Sequence, residues 1–143
     1  TMNPKSLQAL KLFMWGVCAF HVVVGIGVNL SPAFPQAMAG YYGATVHWTP
    51  DFLYIIKPLG AFMLVMGVLA AVAATDPLRN VPIIYGFILL FVLRTLQRVI
   101  HQDELFDTFG ITAMHNVGNM VFFAALALSL YLLLRAARAS GLK

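Results

Sequence analysis

The stretch Val92-Leu93-Arg94-Thr95-Leu96-Gln97-Arg98-Val99-Ile100-His101 decides how this chain is read. It closes an apolar run that begins near Val81, and it carries Arg94, Gln97, Arg98 and His101 at i, i+3, i+4 and i+7. On a helix that spacing gathers the four residues into one polar stripe. An arginine within the hydrocarbon region of a bilayer is costly, and such residues usually face the interior of a helix bundle. The stripe therefore predicts a membrane helix with others standing beside it.

The rest of the chain agrees. Of its 143 residues, 61% are hydrophobic and 10% are charged, with a mean hydropathy of +0.85; about a quarter of a soluble domain is charged. Three further apolar runs, 7–30, 52–74 and 111–134, join the run 81–101. Each is near the roughly 20 residues that a bilayer core requires. The expected fold is all-α, a single membrane domain built as an antiparallel bundle of four transmembrane helices. Between the first two spans lies a long connection, 31–56, with Tyr41, Tyr42, Trp48, Phe52 and Tyr54 recurring along it. Aromatics of this kind suit the headgroup level. The connection is read as a short interfacial helix over Pro32–Gly40, then a loop folded over the bundle mouth, with Asp51 capping the second span. The connection 75–80 is a tight turn and 102–108 a short acidic link.

The small residues of the first two spans point to close helix packing. Gly60 and Gly67 fall on one face of the second, and Gly16, Gly25 and Gly27 interrupt the first; small residues let membrane helices approach closely. Lys5 and Lys11 before the first run and Ala37-Met38-Ala39 after it resemble a signal peptide. The run is too long for a signal core, however, and the cleavage-like site too remote, so a retained helix is expected.

Four spans place both termini at one end. That end carries Lys5, Lys11, Arg79, Arg135, Arg138 and Lys143 with Asp76; the other carries Lys57, Arg94 and Arg98 against Asp51, Asp103, Glu104 and Asp107. The lysine and arginine bias predicts cytoplasmic termini, in a bacterial inner membrane. The net charge of +4 is scattered over helix ends, without the basic patch that a nucleic-acid partner would need. Cys18 is a lone thiol in an apolar run, which excludes a disulfide framework and a CxxC redox pair.

Intramembrane polarity gathers in one leaflet. At about 1.5 Å per residue, Arg94, His21 and Asn119 lie roughly ten Å inside the outer boundary, with Arg98, His115 and Lys57 nearer to it. His115 and Asn119, at i and i+4, share a helix face. One reading is structural: the arginines pair with the acidic link, while Gln97 and Asn119 tie helices together. The other is a ligand-binding pocket formed by His21, Lys57, Arg94, Gln97, Arg98, His115 and Asn119. Its guanidiniums would attract an anionic lipid headgroup, a small anion or a quinone carbonyl. A haem b between His21 and His115 is disfavoured, because the two imidazoles differ in height by up to about two turns. His101, Asp103, Glu104 and Asp107 lack a metal-binding spacing, and no nucleophile elbow, phosphate loop or dinucleotide fingerprint occurs. The leading expectation is thus an accessory or ligand-binding membrane protein rather than an enzyme. A purely structural subunit and a haem- or quinone-linked oxidoreductase component are the alternatives, with membrane lipid, a redox complex or a second copy of the chain as partners.

Phe20-His21 late in the first helix, the aromatic connection with its prolines, Lys57-Pro58-Leu59-Gly60-Ala61, and Phe62-Met63-Leu64-Val65-Met66-Gly67 together resemble the DoxX-like group of small four-helix membrane proteins. The resemblance covers most of the chain as architecture. It implies a non-catalytic membrane partner of quinone-linked or sulfur-oxidising enzymes; the resemblance assigns no role to the Arg94/Arg98 stripe.

Overall fold

The computed structural model describes residues 4–139. Among them there are six helices and no strand: α1 (Pro4–Leu30), α2 (Ala33–Tyr41), α3 (Pro50–Thr75), α4 (Val81–Ile100), α5 (Gln102–Phe109) and α6 (Ala113–Ala139). The helices α1, α3, α4 and α6 are each long and apolar enough to cross a membrane. This is the expected four-span bundle, and α2 is the short helix expected after the first span. Lys143, counted above among the cations of the terminal end, lies outside the described residues.

Two expectations are corrected. Asp51 does not cap α3; Thr49 does, its hydroxyl accepting from the backbone N–H of Phe52 at 3.2 Å. Pro50 follows in the first helical position, where its missing N–H is harmless, and Asp51 sits in the first turn, where the helix dipole favours a carboxylate. The acidic link is not a bare loop either, because Gln102–Phe109 forms α5. Asp103 and Glu104 occupy its first turn and Gly110 stops it in the left-handed conformation, φ 64°. At the opposite end, the turn between α3 and α4 is held by Asp76, whose carboxylate accepts from the Arg79 N–H at 3.2 Å.

The spans associate as two antiparallel pairs, α1 on α3 and α4 on α6, and the pairs meet chiefly through α1 and α6. The α1–α3 pair is a backbone contact. A Cβ on Gly25 would lie 2.7 Å from the Gly60 carbonyl oxygen, and one on Gly67 would lie 2.6 Å from Val22 Cγ2. Only glycine admits helices at that distance, and in lipid such approach is a principal source of helix association. The second pair is filled by side chains: Phe91 and Phe123 stack with centroids 6.5 Å apart. The shared core of Leu10, Met14, Ile84, Phe87, Leu130 and Leu134 lies toward the end that holds the termini. Toward the loop end apolar burial thins: between Pro50 and Met66 of α3, Gly60 is the only buried residue. That thinning leaves room for polar side chains.

Candidate functional site

Helix α4 does not keep its polar stripe on one face of the fold. Arg98 is 8% exposed, whereas Arg94, Gln97 and His101 are all exposed. What buries Arg98 is a residue that the sequence reading passed over, Asn116 on α6. Arg98 Nη1 donates to Asn116 Oδ1 at 3.2 Å, and Asn116 Nδ2 donates back to the Arg98 carbonyl at 3.0 Å. The asparagine thus satisfies the side chain and the backbone of one residue at once. Above the guanidinium lies Tyr42, with Cζ 5.6 Å from its ring centroid, a cation–π distance.

The connection between α2 and α3 is what brings Tyr42 there. Gly43 takes φ 74°, and a Cβ at this position would lie 2.8 Å from the His115 ring. The chain therefore rests directly on His115. Two residues on, the Thr45 N–H donates to the Phe109 carbonyl at 2.7 Å, joining the two loop-end connections. His115 is exposed, with Nδ1 3.0 Å from the Thr112 hydroxyl. Asn119 lies three residues beyond Asn116 and is half-buried.

Arg94 is placed differently. Its guanidinium carbon lies 5.1 Å from the centroid of the buried Phe123 ring, and the side chain remains exposed. Among the described residues no carboxylate lies within 4.0 Å of either arginine, and the nearby acid Glu104 instead pairs with His101 at 3.1 Å. Glu104 is thus engaged with His101, and Asp103 and Asp107 are exposed on α5. Arg94 and Arg98 are like charges one helical turn apart, an unfavourable pairing without an anion.

The remaining candidates stand apart. His21 is buried in α1, 3% exposed, with Nδ1 2.7 Å from the Val17 carbonyl and edge-on ring contacts to Phe20 and Phe87. Among the described residues no hydrogen bond joins it to either arginine. Lys57 is exposed on α3, where its carbonyl accepts from Asn29 Nδ2 at 3.4 Å. The structure therefore brings together Arg98, Asn116, Tyr42 and the neighbouring His115, keeps Arg94 close on the same helix, and leaves His21 and Lys57 on the other helix pair. Among the described residues no three His, Cys, Asp or Glu side chains converge in a metal-binding arrangement.

This fold defines a small integral membrane protein with a polar cluster at the loop end of its bundle. Comparisons with protein families, characterised proteins and solved structures found no match to the chain.

Proposed function

We propose that this protein binds an amphipathic ligand of lipid or quinone type at the loop end of its bundle, in an accessory rather than catalytic role. The observation that supports this reading is the pair of arginines within one span and without a carboxylate partner. Arg98 has its asparagine. Arg94 presents a planar fork of donors whose one described contact is the face of Phe123. A headgroup oxygen or a carbonyl would accept from that fork. Gln97 is exposed on the neighbouring turn as a second polar contact. Arg98, Asn116 and Tyr42 form the neighbouring polar cluster, one helical turn from Arg94.

The DoxX-like layout is the ground for proposing a membrane redox complex as partner. The excess of Lys5, Lys11, Arg79, Arg135 and Arg138 over Asp76 is the ground for placing the termini in the cytoplasm of a bacterial cell. The test is Arg94→Leu. Wild-type protein, purified in mild detergent, extracted and analysed by mass spectrometry, should carry one lipid or quinone species that the variant lacks. Identical extracts would refute the reading.

A second reading, a subunit of a larger assembly, has its own observation. Gly16, Gly86 and Gly118 lie on spans yet face open space, since a Cβ added at any of them would meet nothing within 4 Å, and small residues on a membrane helix admit a partner helix. Native electrophoresis before and after detergent exchange distinguishes the two readings, since a stable lone species disfavours an obligate subunit.

A further inference from the structure

A second lipid-facing feature runs along α4 and α6 from mid-bundle to the terminal end, and neither Arg94 nor Arg98 lines it. Between α4 and α6 runs an open groove of about 370 Å³, lined by Ile88, Val92 and Leu96 on one side and Ala124, Leu128 and Tyr131 on the other. Its wall is almost wholly apolar. At Tyr131 it meets a second hollow of about 350 Å³, whose lining turns polar with Tyr85, Arg135 and Arg138. From Ala124 to Arg138 the joined groove follows α6 for about 21 Å at the helical rise. That length covers the roughly 15 Å hydrocarbon depth of one leaflet and reaches the headgroup layer.

We propose that this groove holds one anionic phospholipid of the leaflet at the terminal end, with its phosphate on Arg135 and Arg138 and an acyl chain along α4 and α6. Charge complementarity selects the occupant. Among the described residues neither arginine has a carboxylate within 4.0 Å, and Asp76, the acid of the α3–α4 turn at the same end, accepts from the Arg79 N–H. Arg138 Nη1 donates to the Tyr85 hydroxyl oxygen at 3.3 Å. This leaves the phenolic proton to be donated onward to a phosphate oxygen, and it fixes the guanidinium at the mouth of the groove. Guanidinium forks match phosphate geometry, and phenols suit the level where apolar core gives way to headgroups. A zwitterionic lipid would bring an ammonium to the same two cations, so the site should discriminate by headgroup.

The test uses the full chain reconstituted in vesicles of equal phosphatidylglycerol and phosphatidylcholine, re-extracted in mild detergent and examined by native mass spectrometry. Wild-type protein should retain phosphatidylglycerol about tenfold over phosphatidylcholine. R135Q/R138Q should lose that preference. A124L, which narrows the apolar groove from an exposed position and leaves every charge in place, should weaken retention by a similar factor. R79Q, which removes a cation from the same end outside the groove, should retain the lipid as wild type does. Four results would each overturn the proposal: equal retention of the two lipids by wild type, full retention by R135Q/R138Q, full retention by A124L, or a loss in R79Q as large as in R135Q/R138Q. Should R135Q/R138Q fail to fold, wild type, A124L and R79Q still decide.

Discussion

The two helix pairs solve one problem by different means. In lipid there is little hydrophobic gain in pressing helices together, so contact must come from packing and from polar groups that find each other. The pair α1–α3 uses the backbone itself: Gly25 opposes Gly60, Gly67 receives Val22, and Asn29 bridges by donating to the Gly25 and Lys57 carbonyls at 2.9 and 3.4 Å. The pair α4–α6 stands on large side chains, the Phe91–Phe123 stack, and then on the reciprocal bonds of Arg98 and Asn116. Where Gly25 meets the Gly60 carbonyl, no side chain can move aside to make room. A pair joined by side chains can accommodate a charge, and both arginines of the loop-end site are found there.

If this contrast is right, substitutions should separate the pairs by mechanism. The largest effect is expected for Gly25→Leu. Even its Cβ would sit 2.7 Å from a carbonyl oxygen that cannot give way, so the pair must part, with a loss above about 3 kcal/mol in detergent unfolding titrations. A variant as stable as wild type would remove the backbone account of α1–α3. Next comes Asn116→Leu, which strips a buried guanidinium of its acceptor and should cost about 2–3 kcal/mol. Exchanging Arg98 for Met in the same chain should recover most of that loss, because two apolar groups then face each other. Additive losses in the double-mutant cycle would mean that the two residues act separately. The smallest effect is expected for Gly86→Ala on α4, whose Cβ meets nothing within 4 Å. Isolated protein should change by less than about 0.5 kcal/mol, and a large loss of assembled species on native electrophoresis would instead place a partner helix there.

Much of the fold was legible because bilayer thickness constrains span length so strongly. The run 81–101 became Val81–Ile100 and 52–74 became Pro50–Thr75, with Thr49 as the cap in place of Asp51, while 111–134 stopped short of the end of α6 at Ala139. Helix α5 was overlooked, although its signals were in the sequence: acids in a first turn, Leu105, Phe106 and Phe109 on one side, and Gly110 as the stop. At eight residues it was short enough to pass for a link. The site was less legible. Spacing correctly puts Arg94 and Arg98 on neighbouring turns, but which of them is buried depends on the rotation of α4 and its register against α6. That register selects Asn116 rather than Asn119, and no one-dimensional pattern carries it. His21 shows the same limit in reverse. Its depth resembles that of Arg94, yet it sits on α1 against Phe87, with its Nδ1 turned to its own helix.

The order of the spans along the chain also bears on how the protein is made. Each pair consists of neighbouring spans, so the glycine-lined α1–α3 hairpin is complete in the growing polypeptide before α4 is translated. The second hairpin has no such early closure. Arg98 precedes the asparagine that receives it by 18 residues, an interval of about 1–4 s at ordinary rates of synthesis. Until α6 is made, the guanidinium of Arg98 lacks the amide oxygen that accepts from it in the folded bundle, and Arg94 lacks the Phe123 ring. The first hairpin can thus close on contacts made within itself as soon as α3 exists, whereas the polar pairing of the second is completed only near the end of synthesis.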